Sequence, residues 1–235
     1  GFRAVGSSAH PRIPVPVAWL TAMDQIIRYF FDFSLLAPYW PDILRGFGLT
    51  VAMSVLTVVI GIPLGRGIAI LRLYRFRLLN LLIILYIDFF RSIPQLVLIV
   101  LVYFALPYFS IVIAPFWAVV LALSVVLSAF AEEIFWAIIN SVPKGQWEAG
   151  RSTGLGFGQV LFSVILPQVT RMSIPPLTNR AIGISKGTTL GSVIAVPELL
   201  SVTSSIQSTV ANPTALTVGA LLFLVLFLPF VRFKR

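Results

Sequence analysis

The chain has 235 residues, 58% of them apolar and 11% charged, with a mean hydropathy of +0.99, far from the roughly half-apolar, quarter-charged balance of soluble domains. That balance implies a polytopic membrane protein. The net charge of +9 is spread beside apolar runs and not over a polar face, which argues against a nucleic-acid partner. The absence of cysteine excludes disulfides and thiolate metal sites, and the single His10 cannot form a histidine metal cluster. The chain opens on Gly1 and not Met, so its natural start is expected to be trimmed or replaced.

Residues 1 to 17 carry three prolines and no helical period and read as an irregular tail. From Trp19 to Leu36, Leu20, Met23, Ile27, Phe30 and Phe31 recur at helical spacing, while Asp24, Arg28 and Asp32 fall at i, i+4, i+8 on another face. Three ionised groups at about 2.5 to 3.5 kcal/mol each favour a helix lying in the interface over one crossing the bilayer. Residues 1–40 are therefore read as tail plus interfacial helix, and 41–235 as the spanning domain. Five apolar runs follow: Ile43 to Leu71, Leu78 to Leu106, Phe116 to Ile139, Met172 to Val196 and Leu216 to Phe233. The second exceeds the roughly 20 residues a span needs, so it must tilt or break. The expected fold is all-α, with five transmembrane helices.

Arg66 near the end of the first run is joined by Arg72, Arg75 and Arg77 just after it, Lys144 and Arg151 follow the third, and Arg232, Lys234 and Arg235 close the chain. The alternate loops, Pro107 to Pro115 and Ser201 to Pro213, contain neither Lys nor Arg. The positive-inside rule places the basic segments in the cytoplasm and the N-terminus outside.

Polar residues in the runs are the candidates for a solute route, because they are costly in lipid. Ser124, Ser128 and Glu132 fall at i, i+4, i+8 on the third run. They either line a route, or the serines bond their own helix's carbonyls while Glu132 or Glu133 reaches back to the interface. Asp88 and Arg91 on the second run read as a structural ion pair beside a kink at Pro94, with a second kink expected at Pro175 and Pro176. On the fourth run, Asn179, Arg180, Lys186, Thr188 and Thr189 bring cationic and hydroxyl groups to membrane depth, and Gly183, Gly187 and Gly191 form a stripe for close helix packing at a subunit interface.

The cytoplasmic loop of about 141–167 mixes Trp147, Leu155, Phe157, Val160 and Leu161 with Gly150, Gly154, Gly156 and Gly158. Such a segment suits short helices joined by glycine turns, offering a surface to a protein partner or lying on the bilayer. Within it, Glu148-Ala149-Gly150, three residues, Gly154, nine residues and then Val164-Ile165-Leu166-Pro167 resemble the EAA loop of ABC importer permeases, with Gly150 replacing Ala and Val164 replacing Ile. "FFRSIPQLVLIVLVYFALP", "SVPKGQWEAGRSTGLG" and "ISKGTTLGSVIAVPELL" also resemble, in order, motifs of the polar amino-acid permeases, and the likeness covers about residues 40 to 235. Glu133 matches the family's Ala-Glu-Ile-Phe run, while Trp136 stands where Arg is usual and Gly187 where Asp is usual.

The resemblance implies a type I ABC importer permease of a bacterial inner membrane, a multi-pass, non-catalytic subunit that forms half of a pathway for polar amino acids. Trp147, Glu148, Ala149, Gly150, Gly154, Leu155 and Gly156 would couple it to a separate ATP-binding subunit dimer. ATP and Mg would bind there and no cofactor here; no phosphate-binding G-x-x-x-x-G-K-[ST] loop occurs in this chain. A second permease, itself or a paralogue, and an extracytoplasmic solute-binding protein complete the implied partners. Ser124, Ser128, Glu132, Asn179, Lys186, Thr188 and Thr189 are the residues expected along the route. The rival readings are a channel or secondary transporter that needs no ATPase, and a membrane scaffold or receptor without transport.

Overall fold

The computed structural model describes residues 17–74 and 76–232. The tail read over residues 1 to 17 lies almost wholly outside them, as do Arg75, Lys234 and Arg235 of the basic segments. Every regular element among the described residues is helical. The first helix, α1 (Val17–Phe30), is followed by a 3-10 segment, Phe33–Tyr39, in place of one continuous helix to Leu36. Asp32 is the reason, since its carboxylate accepts from Ser34 N at 3.2 Å and caps the new segment. It is therefore a capping group and no member of a helical charged stripe with Asp24. The Asp32 amide donates to Thr214 Oγ1 at 3.2 Å, tying this region to the start of the last helix.

The first apolar run is α2 (Trp40–Arg72), which begins with Pro41 and Asp42 in its first turn and ends on a basic residue, both matched to the helix dipole. The second run breaks. Pro94 has no amide to donate and holds Ile93 extended at φ −79°, ψ 130°, so α3 (Arg77–Ser92) and α4 (Gln95–Ala105) meet at a 106° bend. The third run is α5 (Pro115–Ser141). The fourth starts far earlier than expected: α6 (Lys144–Ser152) is separate, but α7 (Phe157–Val160) passes through one π-turn, Leu161–Ile165, into α8 (Leu166–Ser185) and a 3-10 tail, Lys186–Ile194. Pro167 has no amide hydrogen, which removes one α-type bond where the π-turn meets α8. A short helix, α9 (Leu199–Val210), lies in the expected outer loop, and α10 (Thr214–Arg232) ends the described chain.

Three helical stretches are long and apolar enough to cross a membrane, Phe33–Arg72, Pro115–Ser141 and Phe157–Ile194, and the bent α3–α4 pair makes a fourth. The apolar part of α10, Thr214–Pro229, is shorter.

The parallel pair α2–α5 is the spine. Small residues at Gly61, Gly65 and Ala69 let the helices touch: a Cβ on Gly61 would lie 2.9 Å from Leu127 Cβ, and one on Gly65 would lie 2.6 Å from Ala131 Cβ and closer still to the Ser128 carbonyl. Helix α5 is buried along most of its length, including Val119, Leu123, Leu127 and Phe135. At one end of the spine, Ala69, Ala131, Phe135 and Ile139 pack with Val160, Leu161 and Ile165, fixing the α6–α7 region to the core. At the other end, Leu36, Ile43, Leu199 and Ile206 pack with the start of α10.

Candidate functional site

The α6–α7 unit is a preorganised platform. Helix α6 ends through Thr153, and the next residue, Gly154, takes φ +85° while its amide bonds the Arg151 carbonyl at 3.0 Å. This left-handed position explains the glycine. A Cβ there would meet nothing within 4 Å, so the constraint is conformational and the space outside it is free. Gly150 has the opposite reason: a Cβ would lie 2.9 Å from both Val160 methyls, so the replacement of the family's usual alanine lets α6 approach α7. Trp147 stacks on Phe157 with ring centres 5.4 Å apart and planes 14° apart. The Gly156 amide donates to Gln159 Oε1 at 2.8 Å, capping α7.

On this base, Glu148, Ala149, Gly154 and Gly156 are exposed, Trp147, Gly150 and Leu155 are half-buried, and Phe157 and Phe162 present aromatic surface. The seven residues expected to couple are thus together in one compact unit. An exposed carboxylate beside exposed aromatic rings, on a rigid base, can recognise an apolar, basic groove.

The polar stripe on α5 is placed differently. Ser124, Ser128 and Glu132 are all buried, against α2 and α3 of the same chain and not along an open face. Ser128 donates to the Val125 carbonyl at 2.8 Å and lies 2.5 Å from Tyr86 Oη. Glu132 is fully buried and accepts from Arg72 at 3.0 Å through Oε1, while Oε2 has no partner among the described residues. The Arg72 guanidinium lies 4.3 Å from the centre of the Trp136 ring, so the tryptophan found where the family usually has arginine provides a face for an arginine from α2.

The expected Asp88–Arg91 pair does not form. Arg91 pairs with Glu133 at 2.7 Å and lies 5.1 Å over the Phe130 ring, whose centre is 3.7 Å from Arg180. The bend turns Asp88 to the concave side of the α3–α4 junction, where it lines an open hollow with Tyr86, Ser92 and Pro94.

Asn179 and Lys186 are exposed and Thr189 is half-buried, bonding the Lys186 carbonyl at 2.9 Å, whereas Thr188 is buried on the Ser185 carbonyl at 2.9 Å. Of the glycine stripe, Gly187 meets Gln95 and Leu123, and Gly191 meets Val119 and Val196, all within this chain, while Gly183 meets nothing. Tyr86, Glu198 and the pairing of Arg72 with Glu132 are polar features that sequence reading missed. Glu198 is fully buried and its carboxylate accepts from the Leu200 and Ser201 amides at 2.8 and 2.7 Å, holding the start of α9. The Pro-Glu-Leu order signals an N-cap. Tyr86 and Arg72 carried no such signal, because their partners lie 42 and 60 positions away.

Comparison with known proteins places this arrangement. A probable amino-acid ABC transporter permease, YckA of Bacillus subtilis, is 36% identical over 173 residues, 74% of this chain and 76% of its own length. The L-cystine transport system permease TcyB of the same organism is 39% identical over 161 residues, 68% and 69% of the two chains. A crystal structure of an amino acid ABC transporter with histidines superposes with a TM-score of 0.77 at 31% identity, covering 86% of this chain and 95% of that one. The inward-facing methionine transporter MetNI has the same fold, with a TM-score of 0.67 at 20% identity over 84% and 95% of the chains. Residues 57–235 match the profile of the binding-protein-dependent transport system inner membrane component, and the chain belongs to that family, among its amino-acid ABC transporter permeases.

Proposed function

We propose that this chain is the permease subunit of an ATP-driven importer of polar amino acids in a bacterial inner membrane, and that the α6–α7 platform transmits the work of a separate ATPase. ATP and Mg are bound by that ATPase dimer; a second permease, identical or paralogous, completes the pathway, and a solute-binding protein delivers the amino acid from outside. Five spans with the N-terminus outside and α6 in the cytoplasm suit this role. The observation that carries the reading is the platform itself: Glu148 and Ala149 are exposed on a unit whose other face is fixed to α2 and α5 through Phe135, Ile139, Val160 and Leu161. A partner seated there moves the spine, and with it the access of the pathway, as one body.

We place Asn179, Lys186 and Thr189 on the solute's route, since they keep accessible surface. The buried Ser124, Ser128, Glu132 and Thr188 contribute to it by fixing the helices that form its walls.

Gly154 supplies the test. Asn tolerates the left-handed conformation, as Asp does, so Gly154→Asn and Gly154→Asp differ chiefly in charge on the exposed turn. Both variants should reach the membrane at normal abundance, since a Cβ meets no neighbour. Gly154→Asn should keep most of its ATPase association and uptake, while Gly154→Asp should lose ATPase copurification, uptake and binding-protein-stimulated ATP hydrolysis together. Retention of association and uptake by Gly154→Asp would remove the coupling role from this platform.

A further inference from the structure

Between α2, α8 and α10 runs an open, mostly apolar groove of about 500 Å³ whose walls include Val55, Val59, Ile174, Ala181 and Leu226. Val55, Val59 and Ile174 are each more than half exposed, so the groove is open along its side. Hydroxyl groups lie along it at Thr170, Thr178, Ser185 and Ser54, and its charged group sits at one extreme. Arg66 lies at the end nearer α6, beside Thr170, and has no ion pair or hydrogen bond among the described residues. Toward the other end, Ser54 is 7% exposed and its Oγ has no partner among the described residues. No acidic side chain among the described residues lines the groove.

These features select among ligands. A free amino acid needs a partner for its ammonium as well as its carboxylate, and the lining offers only a cation and hydroxyl groups. An apolar chain with one anionic head meets every requirement. The length agrees: Arg66 and Val55 are 11 residues apart on α2, about 16 Å at 1.5 Å per residue, against about 15 Å for one leaflet's half of a 30 Å hydrocarbon core. Guanidinium groups bind phosphate oxygens in pairs, and basic pockets between spans suit anionic lipid heads. We propose that the groove is a site for an anionic glycerophospholipid of the leaflet beside α6, with its phosphate on Arg66 and one acyl chain along Val59, Ile174 and Val55.

The test uses the full chain, purified with whatever subunits assemble with it, in nanodiscs of equal phosphatidylglycerol and phosphatidylethanolamine, with retained lipid counted by native mass spectrometry after gentle delipidation. Wild-type protein should retain phosphatidylglycerol about fivefold more than Arg66→Gln, the size expected of one basic residue near a head group. Arg66→Lys should fall between them. Ile174→Trp, a change at an exposed position, should fill the groove and lose both lipids with no change in oligomeric state. Arg171→Gln, a neighbouring exposed cation, should behave as wild type. Equal retention by wild type, Arg66→Gln and Ile174→Trp would overturn the site. So would loss of the permease dimer in Ile174→Trp, which would make a second copy of the chain the occupant, or displacement of the retained lipid by a transported amino acid.

Discussion

Arg72 and Glu132 illustrate how a single contact can be costly to break in this molecule. The carboxylate is fully buried, one of its oxygens has no partner among the described residues, and the guanidinium that meets the other is 18% exposed and lies on Trp136. Such a pair adds little net stability, because both ions lose water to form it. Removing one partner is another matter, since it leaves the remaining charge buried and unpaired. Arg72→Leu should therefore destabilise by about 3 to 5 kcal/mol, toward the lower figure because Arg72 keeps some solvent contact. The double variant Arg72→Leu with Glu132→Leu should recover most of that loss. The check is the unfolding midpoint of the purified protein in mild detergent, in a double-mutant cycle with Glu132→Leu. A double variant no more stable than Arg72→Leu alone would mean that the arginine acts through its stacking on Trp136 and not through the ion pair. Glu132 was legible as a polar group at membrane depth, but its direction was not. Helical spacing identifies the face a residue occupies, and says nothing about whether that face meets a solute route or the neighbouring helix.

Packing of α2 on α5 decides most of the internal architecture, and it depends on glycines that look alike in sequence. Gly65 and Gly67 are two positions apart in the same helix, yet a Cβ on Gly65 would run into the backbone of α5 while one on Gly67 would meet nothing within 4 Å. Gly65→Ala should force the helices apart and cost about 1 to 3 kcal/mol, as overpacking does. Gly67→Ala should be neutral or stabilising by up to roughly 1 kcal/mol, the helix-propensity difference between the residues. Thermal unfolding of the two variants side by side gives the answer, and equal effects would mean that the spine adapts by sliding. The i, i+4, i+8 glycines of the fourth run read as a close-packing stripe; Gly61, Gly65 and Ala69 carry the same pattern and the larger contact. The bend at Pro94 was legible because proline removes a donor and restrains its predecessor. The long helix from Phe157 was not, because Gly156, Gly158 and Pro167 all read as breaks, yet Gln159 caps the start and a π-turn carries the helix across the proline. Tertiary burial of Val160, Leu161 and Ile165 overrides the local preference of the glycines.

At the scale of the molecule, composition was enough for the class, and the arrangement of arginines and lysines was enough for a proposed orientation. The number and depth of spans was less legible, because α9 hides a hydroxyl-rich helix in an apparent loop and α3–α4 turns one long run into two helices. Orientation can be tested directly, since the chain has no cysteine of its own. Val112 is 83% exposed in the segment between α4 and α5, Ser205 is exposed on α9, and Ser152 is exposed at the end of α6. Single cysteines at Val112 and Ser205 should react with an impermeant maleimide added to intact cells, and a cysteine at Ser152 should not. That last silence has two causes, a cytoplasmic location and cover by a docked ATPase, which inverted vesicles separate. In vesicles lacking the ATPase, Ser152→Cys should label fully, and restoring the ATPase should reduce labelling there without changing the other two sites. Labelling of Ser152→Cys from outside intact cells would reverse the orientation. Full labelling in inverted vesicles whether or not the ATPase is present would keep the orientation but move the docked partner off this end of α6.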